Sequence, residues 1–153
     1  MPVTSQDRAF SESAWDSKEF DWTGKTFYFV TIIRIFGKSI GLGGKLEELN
    51  REVRRHGYRT LNNNILIQLG AFKGRIMIEV EKEDRYDAQV VTYEEQTTVD
   101  TIVIHQSRTS LSAGVKRLKE RVFSRRAMAP REIYYWDVNA PGGEDCIVLF
   151  GLT

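Results

Sequence analysis

The sequence predicts an α+β domain in which two β-α-β-β units build one largely antiparallel sheet with two helices on one face. Three observations lead there. Leu42, Leu46, Leu49 and Val53 recur at i, i+4, i+7 and i+11, and Leu111, Val115, Leu118 and Val122 repeat that stripe, so two helices each have one apolar face. Runs rich in β-branched and aromatic residues flank both helices in the same order. The two halves also match by subtraction: Leu111 minus Leu42, Val122 minus Val53, Val99 minus Val30, Ile102 minus Ile33, Ile104 minus Ile35, Gly143 minus Gly74 and Ile147 minus Ile78 are all 69. One gapless offset through strand, helix, turn and strand reads as an internal repeat.

The elements follow in chain order. Residues 1–24 are polar and mixed apart from Phe10, Trp15, Phe20 and Trp22, and read as an arm whose aromatic rings dock on the body. The body is a single domain over 25–151, with half-repeats at about 25–83 and 86–151. Its first strand is 27–36, and Gly57 is a C-terminal stop for the first helix. Strands at 65–69 and 76–81 are joined by the glycine-bounded loop 70–74. Residues 86–93 and 99–105 read as strands, and Pro130 marks the exit from the second helix. Strands at 132–138 and 146–151 complete the plan.

Composition sets limits on function. The 153 residues are 41% hydrophobic and 28% charged, enough to hide roughly two thirds of the unfolded surface without a disulfide or metal staple. With 22 Lys+Arg against 21 Asp+Glu the net charge is +1, which argues against an electrostatically driven nucleic-acid binder. The first residues lack the basic-then-apolar order of a signal peptide, and the apolar run at 27–36 is too short to span a bilayer. One cysteine, Cys146, sits in an apolar strand-like run and reads as an inert core thiol of a cytoplasmic protein without membrane contact.

Several motifs resolve to plain readings. Residues 37–45 look like a phosphate loop but lack the spacing of either glycine motif, and read as a strand-to-helix connection. His56 and His105 with one cysteine are too few for a recognisable zinc set, so no metal or cofactor is expected. His56 reads as a helix cap and His105 as a strand end. No G-x-S-x-G elbow is present. Lys116, Arg117, Lys119, Arg121, Arg125 and Arg126 make the second helix basic, which reads as a solvated face balanced by Glu79, Glu81, Glu83, Asp84 and Asp87.

The strands carry the functional signal. A strand with one wet face alternates, yet Phe27, Phe29, Ile33 and Ile35 face one way while Tyr28, Val30, Ile32 and Phe36 face the other. The second face of the sheet therefore needs an occupant: the arm, a partner or a ligand. Alternation puts Glu132, Tyr134 and Trp136 on one strand face. A carboxylate beside aromatic rings holds a cationic or heteroaromatic ligand by charge and cation–π attraction, or exchanges a proton if desolvated.

These residues resemble a family. The duplicated strand-helix-hairpin plan over about 25–151 is similar to the GyrI-like small-molecule-binding domains, also described as paired SHS2 modules, and Arg131-Glu132-Ile133-Tyr134-Tyr135 after Pro130 looks like that family's Pro-x-x-Ile-Tyr segment. The resemblance implies a central groove in which Glu132 is lined by Tyr134 and Trp136. The family includes drug-sensing effector domains, gyrase-inhibitor-like proteins and some hydrolases of cyclopropane-bearing natural products. Ser107-Arg108-Thr109 stands where many members have a Gly-Pro-Tyr-like turn. The residues ahead of the body are too few for a helix-turn-helix domain, so a stand-alone protein is expected.

The expected function is binding of a hydrophobic or cationic small molecule by Glu132, Tyr134, Trp136, Tyr28 and Phe36. One alternative is a protein-interaction module whose apolar sheet face buries a protein partner or a second copy. The other is a hydrolase of small reactive natural products with Glu132 as proton donor or base and a tyrosine assisting.

Overall fold

A computed structural model describes residues 9–35, 38–70 and 72–153. The body begins with β2 (Thr26–Ile35), preceded by a 3-10 turn at Glu12–Ala14 and β1 (Lys18–Asp21). A two-residue strand, β3 (Lys38–Ser39), folds back on β2 before α1 (Leu42–Arg55), β4 (Leu66–Leu69) and β5 (Lys73–Val80). Then come β6 (Val90–Thr92), β7 (Thr98–His105), α2 (Leu111–Arg126), β8 (Glu132–Asp137) and β9 (Cys146–Leu152). All pairings are antiparallel, in the order β1-β7-β9-β8-β4-β5-β2-β3, with β6 on β2. The protein is thus α+β, with two helices on a largely antiparallel nine-stranded sheet.

The order β7-β9-β8-β4-β5-β2 reads the same from either end once β2, β4 and β5 are matched with β7, β8 and β9. The two β-α-β-β units are therefore related by a pseudo-two-fold axis at the β4–β8 pairing, where Gln68 lies opposite Tyr134. Each unit has its own core under its helix. Leu49 and Val53 of α1 pack over Tyr28, Val30, Ile32, Ile76 and Ile78. Leu118 and Val122 of α2 pack over Ile102, Ile104, Ile147 and Leu149. Tyr135 touches both clusters and joins them. Gly114 lets α2 approach closely, since a Cβ there would stand 2.9 Å from Ile104 Cδ1 and 2.9 Å from Leu149 Cδ1.

The offset of 69 holds in the helices: Leu49 and Leu118 are both fully buried, as are Val53 and Val122. It fails in the leading strands. Val30 lies under α1, whereas Val99 lies on the opposite face, and Ile33 is 44% exposed where Ile102 is 4% exposed. The reason is a one-residue slip. Six residues, including the β3 turn-back, separate β2 from α1, and five separate β7 from α2. A strand alternates with period two, so one extra residue exchanges its faces.

Other boundaries also shift. Only Val90–Thr92 of 86–93 is strand, and Tyr86 stands 93% exposed. The second helix ends at Ala127, in left-handed conformation, before Pro130. Gly57, at φ 72°, follows the His56 cap of α1 as expected. Ser110 caps α2, its side chain accepting from Ala113 N at 3.1 Å.

The face away from the helices is covered by the chain's own N-terminal segment, which is more than an arm. Its strand β1 pairs with the β7 edge from Lys18↔Thr101 to Asp21↔Thr98. Beyond the ladder, Asp16 Oδ1 accepts from Val103 N at 3.0 Å, and Thr101 Oγ1 donates to the Trp15 carbonyl. These contacts satisfy an edge that would otherwise expose unpaired backbone groups. Phe10, Trp15, Phe20 and Trp22 then pack with Tyr134, Trp136 and Phe150 in a single aromatic cluster.

Two measurements check this packing. Leu49→Ala and Leu118→Ala should each cost ~2–5 kcal/mol in denaturant unfolding, with closely similar values for the two equivalent sites. Removing residues 1–22 should lower the melting temperature and raise Nile red fluorescence, because it bares the rings under the arm.

Candidate functional site

Three of the five candidate site residues share one sheet face. Glu132, Tyr134 and Trp136 alternate along β8, and Tyr134 Oη donates to Glu132 Oε1 at 2.8 Å. Burial, chiefly, pushes the Tyr134 hydroxyl far above the ordinary tyrosine range, so this phenol remains a neutral donor. Arg75 Nη1 stands 3.6 Å from Glu132 Oε1, and the same guanidinium lies 4.7 Å from the centre of the Phe29 ring. Glu132 is thus matched by an internal cation and an internal hydroxyl.

The ring faces beside it are also covered. Trp136 is 8% exposed and makes edge contacts with Phe10 and Trp15 at 5.8 and 5.3 Å between ring centroids. Tyr134 is fully buried. The arm therefore stands where a stacked ligand or a partner would have stood. Tyr28 is elsewhere: it faces α1, stacked at 6.1 Å on His56 and tilted at 5.2 Å against Tyr58. Phe36 lies outside the described residues, as does Gly37 of the glycine-rich connection.

A cavity of about 270 Å³ persists under the arm, lined by Trp15, Phe20, Trp22, Phe27, Lys25 and Glu79 among others, and two larger clefts lie on the helix side, flanking the pseudo-two-fold axis. The larger, of about 790 Å³, lies between α2 and the turn joining β4 to β5. Leu69, Leu111 and Val115 give it apolar walls, Phe72 stands at its rim, and Arg34, Lys116 and Lys119 supply cations. Among the described residues its lining contains no carboxylate. Arg34 is the central group. One of its terminal nitrogens donates to the Gln68 carbonyl, while its Nε is buried and has no partner among the described residues. Desolvation lowers the pKa of this guanidinium, which nevertheless keeps its charge in proteins.

The smaller cleft, of about 400 Å³, is the counterpart across the axis. It lies between α1 and the end of β8, lined by Leu42, Leu46, Asn50, Ile67, Tyr135 and Asp137 among others. The polar side chains of its lining are amides, a phenol, the Trp136 indole and one acid.

The basic helix divides by function. Lys116 and Lys119 face the larger cleft. Arg121, Arg125 and Arg126 converge instead on Asp100, a fully buried carboxylate of β7, at 3.7, 3.2 and 3.3 Å. Arg125 and Arg126 also hold Glu19 of β1 at 2.6 and 2.9 Å. The C-terminal arginines of the helix are therefore paired with acids of β1 and β7, whereas Lys116 and Lys119 are not among the described residues. The acidic stretch at and after the end of β5 pairs elsewhere: Glu79 with Lys25, Glu81 with Arg59 and Glu83 with Arg85.

Sequence reasoning missed Arg34 as a site residue. Its signal was present as the one charged residue of an apolar-rich strand, at a position of the same parity as Tyr28, Val30 and Ile32. A charge on the core-facing side of a strand is costly unless it serves a partner or a ligand. Comparison of the chain with models of known protein families, with curated proteins and with solved structures finds no match. No helix among the described residues is long and apolar enough to cross a membrane.

The Glu19 pair gives a pH prediction. Donation from the Arg126 guanidinium, and then from Arg125, holds the Glu19 carboxyl below the ordinary glutamate range. A carboxyl whose folded pKa is depressed stabilises the fold above its unfolded pKa, and that contribution is lost as pH falls through the folded pKa. The melting temperature should therefore fall on acidification below the ordinary glutamate range, and Glu19→Gln should flatten that slope while leaving the neutral-to-alkaline part unchanged.

Proposed function

We propose that this protein binds a small molecule, the general role that its resemblance to GyrI-like domains implies, and that the ligand enters the cleft between α2 and the β4–β5 turn. The ligand chemistry follows from the lining. Leu69, Leu111 and Val115 accept an apolar body, and Arg34, Lys116 and Lys119 accept an anionic group such as a carboxylate, sulfonate or phosphate. The observation that carries this reading is the buried Nε of Arg34, without a partner among the described residues, in a cleft whose described lining holds cations and no acid. A ligand anion would complete a hydrogen bond that the described residues leave unmade, and an arginine fork suits such groups.

This differs in charge from the expectation of a cationic ligand at Glu132, whose carboxylate and neighbouring rings are already engaged within the chain. The apolar sheet face of the interaction-module reading is likewise filled by Phe10, Trp15, Phe20 and Trp22. A reducing, cytoplasmic setting suits the free buried Cys146.

Matched naphthalene or alkyl ligands bearing a sulfonate, an ammonium or no charge test the reading. The sulfonate should bind tightest. Arg34→Gln should weaken it by roughly ten- to a hundredfold, the scale of a charged hydrogen bond, with little change for the neutral ligand. Lys119→Glu, at the helix surface, should act in the same direction without disturbing the sheet. Equal affinity for all three ligands, or no response to either substitution, would refute an anion-selective cleft.

A further inference from the structure

Three residues far apart in sequence meet at the other end of the sheet. His105 closes β7 and Cys146 opens β9, and antiparallel register makes them cross-strand partners. The arm brings Glu12, in its 3-10 turn, over this pair. His105 Nδ1 lies 3.7 Å from Cys146 Sγ, and His105 Nε2 lies 3.0 Å from a Glu12 oxygen. Taking one donor atom from each residue, all three lie within 4.8 Å of one another.

We propose that Glu12, His105 and Cys146 form a zinc-binding site that fastens the N-terminal arm to the sheet. Sulfur, imidazole nitrogen and carboxylate oxygen are the three donor types that zinc takes, and a thiolate with an imidazole selects against magnesium and calcium. The spacing is suitable. Zinc–sulfur and zinc–nitrogen bonds of about 2.3 and 2.0 Å at tetrahedral angles place those two ligands about 3.5 Å apart, close to the 3.7 Å found. An imidazole gives zinc one nitrogen, so with Nδ1 on the metal the Glu12 carboxylate exchanges its contact with His105 Nε2 for zinc; its side chain is 47% exposed and free to move, while Cys146 is held in the core and His105 is half-buried. The exposed side leaves an entry path and a fourth position for water.

A nucleophilic role for the same thiol finds less support. Neither of the helix-side clefts reaches Cys146, and the thiol is 3% exposed. A metal needs only the lone pairs on the inner side of the cluster, whereas a substrate needs room. The site also has a structural consequence. Glu12 lies between Phe10 and Trp15, the two arm residues that cover Trp136. Bound zinc would hold that cover closed.

The full chain, stripped with a chelator and titrated with cobalt(II), tests the proposal. The expected result is one equivalent bound with a near-ultraviolet thiolate-to-cobalt band and strong visible bands, displaced by zinc. Cys146→Ser should remove the thiolate band. Glu12→Gln, at an exposed arm position that leaves the core untouched, should weaken zinc by tenfold or more and abolish the rise in melting temperature that zinc gives the unaltered chain. Zinc should also slow hydrogen exchange in residues 10–16. Cobalt bound without the thiolate band, or zinc affinity in Glu12→Gln within twofold of the unaltered chain, would overturn the site.

Discussion

The structure depends on closing the second apolar face of the sheet. Two helices cover one face, yet strands β2, β8 and β9 present large apolar side chains on both. The N-terminal segment resolves this by placing aromatic rings on the uncovered side. Its cost is conformational: about 1–2 kcal/mol for each residue ordered. A fully buried aromatic ring removes 150–250 Å² from water, roughly 4–6 kcal/mol. One ring is therefore needed for about every three residues. Phe10, Trp15, Phe20 and Trp22 supply one ring for every four of residues 9–24, somewhat below that density. Because all but Trp22 are only partly buried, the β1 ladder and the Asp16 and Thr101 hydrogen bonds supply the margin.

That closure decides where chemistry can occur. Glu132, Tyr134 and Trp136 place a carboxylate beside two rings on one strand face, the pattern that reads in the sequence as a ligand groove. With the arm in place Trp136 makes edge contacts with other rings of the same chain, and the carboxylate is held by Tyr134 and Arg75. The clefts flanking the β4–β8 axis lie where two convex helices meet a twisted sheet, while under the arm a smaller cavity of about 270 Å³ remains among Trp15, Phe20, Trp22 and Phe27.

Legibility in the sequence follows the same physics. The helices could be read and matched because an apolar stripe of period 3.6 is broad, so Leu49 and Leu118 align directly. Strand faces could not be carried across by the same offset, since period two gives no tolerance: Val30 and Val99 keep their residue type and exchange their surroundings. Alternation within one strand was secure, and it grouped Glu132 with Tyr134 and Trp136 correctly. The same rule separates Tyr28 from them, because its strand turns that parity toward α1. What covers a face is a tertiary matter, invisible in strand composition. The trio Glu12, His105 and Cys146 lay further out of reach, as three segments supply it and no local spacing marks it. Arg34 was readable in principle, from the cost of a charge on a core-facing strand position.

The pseudo-two-fold relation makes the two clefts a controlled comparison. Leu111, Val115 and Lys119 line the larger one, and Leu42, Leu46 and Asn50, each 69 positions earlier, line the smaller. The apolar positions keep their character. The polar ones do not: Lys119 replaces Asn50, and Lys116, which also lines the larger cleft, stands where α1 has Glu47. One frame thus presents the same walls with different charge, so the difference between the clefts arises from side chains and not from shape alone. In the larger cleft the added cations lie near a third, Arg34, already partly stripped of water. Like charges gathered around an apolar hollow repel one another and gain nothing from packing. Such an arrangement lowers its free energy most when an anion with an apolar body enters, because that one event neutralises the cations, satisfies the Arg34 Nε and removes Leu69, Leu111 and Val115 from water.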